Sequence, residues 1–422
     1  MTSPEERRRL ASLDRSALAA FQLERLNRLL AEILPANRFY AAKLAGGPTR
    51  LESLEQLREL PYTTKEELLP ESTSATAANC TYEAADYVRY HQTSGTRGRP
   101  LPIRDTPSDW QWWIDCWQYV LDAAAIEPGD RAMLAFSFGP FIGFWSAFDA
   151  LVARRVLAVP GGGMSSLARI DLMERMKTTS LFCTPTYALR LAEVAAEHQI
   201  ALDHLPIEKI VVAGEPGGSV PAIRQQIEQT WNASIVDHAG ASEVGAWGVG
   251  DAEGSGMFVI ESEFIAEFLS VDTGEPAGEG ELAQLVLTSL GRKGCPVIRY
   301  RTGDLVRPRW SSAGEVRFVY LEGGVLGRAD EMMVIRGVNI FPSAVEQILR
   351  GFPEVVEYRI TARKAGQLDA LTIEVEDRMQ SPGRIAAELQ RRLGLKVEVR
   401  LAPSMSLPRF EGKGRRFNDQ RT

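Results

Sequence analysis

The segment EKIVVAGEP, residues 208–216, has the pattern of a buried parallel strand that ends in a Gly/Pro turn. Four segments of the same kind surround it: RAMLAFSF (131–138), RRVLAVPGGG (154–163), TSLFCTPT (179–186) and ASIVDHAG (233–240). Stretches with helical periodicity separate these segments, and the alternation predicts parallel βαβ units. Ligands of such sheets bind at the carboxyl ends of the strands, where the Gly/Pro turns fall.

The pattern changes on both sides of these βαβ units. Residues 1–60 have the apolar spacing of helices, and residues 257–325 alternate short strands with turns, which predicts an antiparallel, barrel-like part of the same domain. The last part of the chain predicts a small α+β domain, and GRADE (327–331) marks its start. We therefore expect an α/β multidomain protein with a large N-terminal domain, residues 1–329, and a small C-terminal domain, residues 330–422.

Length, charge and cysteine content narrow the class of protein. The chain has 422 residues, which is more than a single hydrophobic core usually accommodates. Its net charge is −7 and it has no basic stripe, so nucleic-acid binding is not expected. No apolar run reaches the roughly 20 residues of a membrane helix, and the N-terminus lacks a signal-peptide core. The four cysteines and four histidines are scattered, which argues against a zinc site or a disulfide framework and favours a cytoplasmic protein.

The loop HQTSGTRGRP (91–100) has the composition of an anion-binding turn. Its backbone N–H groups can form a concavity, the hydroxyls of Thr93, Ser94 and Thr96 add donors, and Gly95 and Gly98 allow a close approach. It lacks the Gly-Lys-Ser/Thr ending of a Walker A loop. By itself it is equally compatible with an ordinary polar hairpin turn.

Three other segments place charged residues beside turns. PVIRYRTGDLV (296–306) puts Asp304 just after a predicted strand, and DHAGASEVG (237–245) puts Glu243 in a turn, where its oxygens can hold a hard cation. FEGKGRRFNDQ (410–420) sets Lys413 between two glycines. Taken singly, these residues are compatible with turn chemistry or a solvated surface.

Taken in order, these segments resemble the adenylate-forming enzymes, and within them the phenylacetate–CoA ligase branch. The resemblance also covers GRADEMMVIRGVNIFP (327–342), the N-terminal ILPANRFYAAKL (33–44) and the C-terminal LPRFEGKGRR (407–416), so it extends nearly end to end. Similar enzymes make an acyl-adenylate from a carboxylic acid and MgATP, then transfer the acyl group to a thiol.

The resemblance implies a role for each matching residue. Thr93, Ser94, Gly95, Thr96 and Gly98 would wrap the β- and γ-phosphates, and Gly214, Glu215 and Pro216 would lie along the adenine. Asp304 would accept hydrogen bonds from the ribose hydroxyls, Glu243 would hold Mg²⁺ and Arg328 would lie near the phosphates. Lys413 would bridge the attacking carboxylate and the α-phosphate. Asp330 would be the hinge of a mobile C-terminal domain, and Arg336 and Gly337 would line the thiol tunnel, although Gly337 also suits a tight turn.

Two positions depart from the branch. Ala239 stands where the branch usually has a tyrosine stacked on adenine, and the neighbouring His238 is a candidate for that stacking role, for the acid pocket or for a structural role in the core. Arg97 replaces the usual threonine of the loop and suits a phosphate contact or a salt bridge. The zinc ligands that some relatives carry after the Ser-Glu motif are absent from GVGDAEGSGMFV.

The acid substrate is predicted to be aromatic. FSFGPFIGFWSAF (136–148) borders the carboxylate pocket in the resemblance, with Phe136, Phe141 and Trp145 as candidate walls together with His238 and Ala239. The substituents of the ring stay open. Trp110, Trp113 and Trp117 share one helical face, which predicts packing in the core or at a homodimer interface.

The leading functional hypothesis is an ATP-dependent aryl acid–CoA ligase with coenzyme A as co-substrate. A second hypothesis keeps the adenylation but transfers the acyl group to the phosphopantetheine thiol of a carrier protein. A third is a non-catalytic nucleotide-binding homologue. The presence of Glu243, Asp304, Arg328 and Lys413 argues against the third hypothesis.

Overall fold

The computed structural model describes residues 2–70, 76–93, 100–136, 138–140, 142–143, 145–251, 253–310, 314–331, 333–335, 338–365, 368–410 and 416–421. Its helices are α1 (Pro4–Ala11), α2 (Arg15–Ile33), α3 (Arg38–Lys43), α4 (Lys65–Leu68), α5 (Pro107–Ala123), α6 (Trp145–Ala153), α7 (Ser166–Met176), α8 (Pro185–Glu197), α9 (Pro221–Trp231), α10 (Pro342–Arg350) and α11 (Pro382–Leu393). Short 3₁₀ helices span Glu55–Glu59, Ala84–Asp86, Leu202–His204 and Ala329–Glu331.

The described ranges also contain the strands of the sheets. They are β1 (Arg89–Gln92), β2 (Pro102–Asp105), β3 (Arg131–Leu134), β4 (Leu157–Pro160), β5 (Ser180–Cys183), β6 (Lys209–Ala213), β7 (Ser234–Ala241), β8 (Gly245–Gly250), β9 (Gly256–Val259), β10 (Phe264–Ser270), β11 (Ala283–Ser289), β12 (Tyr300–Val306), β13 (Pro308–Arg309), β14 (Tyr320–Glu322), β15 (Gly327–Arg328), β16 (Met333–Ile335), β17 (Val338–Ile340), β18 (Val355–Ala365), β19 (Leu368–Asp377), β20 (Glu398–Leu401) and β21 (Phe417–Gln420).

The five predicted βαβ strands form the parallel half of a nine-stranded sheet. Its order is β13-β14-β9-β8-β7-β6-β5-β3-β4, parallel from β7 to β4 and antiparallel beyond. Successive side chains point to opposite faces, so Leu181 joins the core under α7, α8 and α9 while Phe182 joins the core under α5 and α6. Burial on both faces explains the continuous apolar runs of these strands. The α/β fold class is therefore confirmed.

The helix α5 supplies most of the aromatic packing on one face of this sheet. It begins at Pro107 because Thr106 and Asp109 form a capping box, in which each side chain accepts the other residue's backbone N–H. Trp113 and Trp117 are almost completely buried, which places the predicted aromatic face in the core.

A second sheet of the large domain is antiparallel and four-stranded, in the order β10-β11-β12-β15, while β9, β13 and β14 join the antiparallel edge of the nine-stranded sheet. Asp304 lies inside β12 rather than just after a strand, so the prediction from the Thr-Gly-Asp turn signal is wrong at this point. The pairing of β12 with β11 shifts register between Gln284 and Val286, opposite Leu305 and Arg301, so this motif is a bulge that the strand runs through.

The C-terminal part has its own sheet, β20-β19-β18-β21, its own hydrophobic core, and the helices α10 and α11. The strand β15 and the short helix Ala329–Glu331 lead into it. The hinge at Asp330 and the boundary drawn there stay predictions. None of the helices in the described ranges is long and apolar enough to cross a membrane.

Candidate active site

Glu243 lies in the turn of the β7–β8 hairpin, as predicted. The turn is closed by a 3.0 Å hydrogen bond from the Val244 N–H to the Ala241 carbonyl, and the Glu243 side chain is partly exposed. The hydroxyl of Tyr300, the first residue of β12, donates a 2.8 Å hydrogen bond to Glu243 Oε1. Burial and this carboxylate raise the pKa of Tyr300 well above its usual range, so the phenol stays a donor.

Asp304 and Arg328 lie opposite each other where β12 pairs with β15. Arg328 Nη1 is 3.2 Å from Asp304 Oδ1, and the arginine side chain is 40% exposed against 15% for the aspartate. The guanidinium passes beside Gly303, which has a φ of +80° and whose Cβ, if present, would be 2.7 Å from Arg328 Nη2. The positive φ therefore favours glycine at this position, and the absence of a side chain leaves room for the arginine beside it.

The strand β12 joins these two groups. Tyr300 and Asp304 are four residues apart on it, and the charges of Arg328 and Asp304 both act on the Tyr300 hydroxyl. The predicted metal carboxylate, ribose carboxylate and phosphate arginine thus converge on one strand.

The predicted adenine segment lies at the carboxyl end of β6. Gly214 is exposed there, Pro216 is partly buried, and Glu215 Oε1 accepts a 2.8 Å hydrogen bond from the Thr186 N–H in the first turn of α8. Burial raises the pKa of Glu215 despite the Thr186 hydrogen bonds, and the charges of Glu346 and Arg416 reach it from the C-terminal part. The segment therefore lies where the two parts of the chain meet.

The predicted phosphate loop connects the antiparallel strands β1 and β2. At its base the Thr93 N–H donates to the Leu101 carbonyl at 3.1 Å, and the Leu101 N–H donates to Thr93 Oγ1 at 3.0 Å. The Thr93 hydroxyl thus closes the base of the loop as an acceptor. The other loop residues of the prediction, Ser94, Gly95, Thr96, Arg97 and Gly98, lie outside the described residues, as do Phe141, Arg336, Gly337 and Lys413.

His238 is buried on β7 against α5. Its ring lies 4.3 Å from the Trp117 ring, and its Nδ1 is 2.8 Å from the Gly248 carbonyl oxygen, so Nδ1 carries the proton. Burial lowers the pKa of His238 to about 4, which makes the imidazole neutral near pH 7. The neighbouring Ala239 packs partly buried against the main core.

The other candidate walls of the acid pocket lie after β3. Phe136 is partly buried against both cores of the large domain. Trp145 begins α6, is 37% exposed and donates from Nε1 to the Gly139 carbonyl at 3.0 Å. Its ring meets Phe138 edge-on at 4.8 Å. Aromatic rings therefore line both ends of the segment that was predicted to border the acid.

Sequence reasoning missed two residues that hold the site together. Tyr300 is in the same motif as Asp304, but its contact with Glu243 depends on the tertiary fold. Thr186 lies in the first turn of α8 without any chemical signature of its own, and its contact with Glu215 depends on the tertiary fold. In the described part of the chain, no three His, Cys, Asp or Glu side chains group as a metal site.

Known proteins resemble this chain over nearly its whole length. Residues 337–421 match the family described as AMP-binding enzyme C-terminal domain. The chain is 32% identical to the phenylacetate–coenzyme A ligase of Thermus thermophilus over 98% of both proteins, and 30% identical to that of Escherichia coli over 97% of this chain and 96% of the other.

Solved structures of a 2-hydroxyisobutyryl-CoA ligase cover 100% of this chain and 94% of their own. In the postadenylation state with R3-HIB-AMP, that ligase superimposes with a TM-score of 0.92 at 25% identity. In the thioesterification state with 2-HIB-AMP and CoA, the TM-score is 0.74 at 26% identity. The present arrangement of the chain is thus closer to the postadenylation state.

The fold and the converging site define an adenylate-forming enzyme. Within that class the chain belongs to the phenylacetate–coenzyme A ligase family, as the motif order predicts.

Proposed function

We propose that the chain converts an aromatic carboxylic acid, ATP and coenzyme A into the aryl-CoA thioester, AMP and pyrophosphate through an acyl-adenylate. The observation that carries this proposal is the convergence on β12 of the Asp304–Arg328 pair and the Tyr300–Glu243 pair. The near-complete match to ligases named for phenylacetate supports the same reaction.

The pair of Asp304 on β12 and Arg328 on β15 suits the binding of a nucleotide. A carboxylate has about four lone-pair sites, so Asp304 can accept both ribose hydroxyls while Arg328 stays beside it. The Arg328 side chain is 40% exposed, so its guanidinium N–H donors lie within reach of a ligand beside the pair. There they would contact the phosphates and stabilise the charge that develops on the leaving group.

Glu243 fits a magnesium ion. Mg²⁺ is usually held by one or two carboxylates together with substrate phosphates, and Glu243 is a partly exposed carboxylate whose Oε1 is oriented by the Tyr300 hydroxyl. A bound Mg²⁺ would neutralise charge on the phosphates. Glu243 would hold the ion, and Tyr300 would keep the carboxylate in place.

Lys413 is proposed as the residue that bridges the attacking carboxylate and the α-phosphate. An ammonium in that position stabilises the transition state more than the ground state, so Lys413→Ala should lower the kcat of adenylation at least about 100-fold. The exposed Lys396 of the same part of the chain offers a control, because Lys396→Ala should leave the rate unchanged. Equal rates for both variants would remove Lys413 from this role.

The acid pocket is proposed to lie beside Phe136, Trp145, His238 and Ala239, together with Phe141, which lies outside the described residues. The partly buried Phe136 and the 37% exposed Trp145, whose ring meets Phe138 edge-on, offer aromatic walls that favour a flat aromatic acid. The solved ligase with the TM-score of 0.92 is named for a small hydroxy acid, so the panel of acids tested should include that type.

The acceptor is proposed to be coenzyme A, and a thioester assay tests it. Aryl-CoA should form when CoA is the only thiol present, and AMP should be released faster with CoA than without it. If a phosphopantetheinyl carrier protein accelerates AMP release while CoA does not, the acceptor assignment is wrong and the adenylation remains.

A further inference from the structure

Arg292 lies completely buried in the turn between β11 and β12 and contacts two other segments. Its Nη2 is 2.6 Å from Asp105 Oδ1, and Asp105 is completely buried as well. Its Nη1 donates a 2.7 Å hydrogen bond to the Ser242 carbonyl oxygen. We name these three residues the Arg292 bridge.

The two ends of the Arg292 bridge belong to different parts of the candidate site. Asp105 is the last residue of β2, so it closes the hairpin that carries the predicted phosphate loop. Ser242 directly precedes Glu243, and its carbonyl is part of the peptide unit that sets the direction of the Glu243 Cα. One guanidinium therefore ties the phosphate-loop hairpin to the turn of the proposed metal carboxylate.

The turn that carries Arg292 is itself fixed against α5. Asp109, at the start of that helix, accepts hydrogen bonds from the Lys293 N–H at 2.7 Å and the Gly294 N–H at 3.1 Å. A Cβ on Gly291 would be 2.1 Å from Trp112 Cδ1, so only glycine permits this approach. The guanidinium carbon lies 5.4 Å from the centroid of the Trp113 ring. Backbone and side chain of Arg292 are thus both held in place.

Stability alone explains the Arg292 bridge poorly. Removing two charges from water costs free energy, and well-packed apolar residues often replace a buried ion pair without loss of stability. Among the described residues, neither Asp105 oxygen has a well-aligned hydrogen bond, although His91 Nδ1 lies 3.9 Å from Oδ2. Burial opposes the charge of Arg292, yet the attraction of Asp105 leaves its pKa raised, so the guanidinium is charged.

We propose that Arg292 is a positioning residue for adenylation, which fixes the Glu243 turn relative to the phosphate-loop hairpin. This inference rests on the proposed function. Its specific consequence is that loss of the guanidinium changes the Mg²⁺ dependence of the enzyme, because the turn of the Glu243 carboxylate loses its fixed position relative to strand β2 of the hairpin.

The test compares Arg292→Met, Arg292→Lys and the double variant D105L/R292M with the wild type. ATP–pyrophosphate exchange is measured over a range of Mg²⁺ concentrations, together with the melting temperature. The Met variant should lose about tenfold or more in kcat and need several-fold more Mg²⁺ for half-saturation, as expected when a hydrogen bond from a charged group is lost. Lysine should rescue only part of this loss, because it lacks the planar fork that serves two partners.

The double variant removes both charges, so we expect it to fold even if the single variant, which leaves Asp105 buried without this partner, does not. It should keep the altered Mg²⁺ dependence. Arg7 gives a control, since its buried guanidinium pairs with the partly exposed Asp122 away from the site, and Arg7→Met should change only the melting temperature.

Two results would contradict the inference in different ways. Wild-type kcat and Mg²⁺ half-saturation in a folded D105L/R292M protein, with only the melting temperature changed, would make the bridge purely structural. A wild-type enzyme without exchange on any acid would overturn the proposed function, and the inference with it.

Discussion

Removal of one atom, the hydroxyl oxygen of Tyr300, is the most local test of the site. Its hydroxyl donates to Glu243 Oε1, and a hydrogen bond to a charged group contributes about 1.5–3 kcal/mol. Tyr300→Phe should therefore lower the kcat of adenylation roughly 10- to 100-fold and raise the Mg²⁺ half-saturation. The control is Tyr119→Phe, which removes the buried bond of Tyr119 to Ser262 elsewhere. If Tyr300→Phe behaves like that control in exchange kinetics, Tyr300 does not orient the carboxylate.

His238 predicts a pH dependence of stability. Its folded pKa of about 4 lies below the unfolded value of about 6.5, so its contribution is fully present above pH 6.5 and is lost as the pH falls toward 4. Burial raises the pKa of the adjacent Asp237 to about 6. This carboxyl gives the opposite dependence of stability on pH, and it does so both in the wild type and in the His238→Asn variant. Between pH 7 and 4.5, wild type should lose about 2–3 kcal/mol more unfolding free energy than His238→Asn. Parallel denaturant curves for the two proteins would contradict the buried neutral imidazole.

Strand β12 illustrates what the sequence could predict at the level of elements. The apolar runs and turns predicted the parallel strands correctly, because period and burial are local properties. The Thr-Gly-Asp motif predicted a turn, but the pairing of Asp304 with Arg328 continues the strand through a bulge. The partners of Glu243 and Glu215 were not predictable from their motifs, because Tyr300 and Thr186 reach them only through the tertiary fold.

Two arginines flank the segment that carries Lys413. Arg416 makes a two-pronged pair with Glu357, at 2.5 and 2.9 Å, and Arg409 makes one with Glu376, at 3.0 and 2.7 Å. Glu357 and Glu376 are register partners on β18 and β19. Like charges opposite each other destabilise a sheet, so the two arginines offset this repulsion when the segment is in place.

This arrangement predicts that Arg416→Lys affects one half-reaction. Lysine keeps the charge but loses the two-pronged geometry, so the Lys413 segment should be held less firmly and adenylation should fall about tenfold. Thioester formation from a supplied acyl-adenylate should stay within about twofold. The exposed pair of Arg363 and Glu398 gives the control Arg363→Lys. Equal losses in both half-reactions would mean that Arg416 only stabilises the fold.

At the scale of the whole molecule, the chain matches one state of a related ligase better than another, with TM-scores of 0.92 for postadenylation and 0.74 for thioesterification. If Asp330 is the hinge between these arrangements, Asp330→Pro should keep adenylation within a few-fold and lower thioester formation at least about tenfold, because proline fixes φ. Asp330→Asn is the matched control and should retain both half-reactions. Full thioester formation in the proline variant would place the hinge elsewhere.

The central claim is that this chain activates an aromatic acid by adenylation, and ATP–pyrophosphate exchange without any thiol tests it most directly. The panel should contain phenylacetate, benzoate, 2-hydroxyisobutyrate and acetate. We expect exchange that depends on an aromatic acid and on Mg²⁺, with little or none for acetate. Binding of ATP without exchange on any acid would contradict the account.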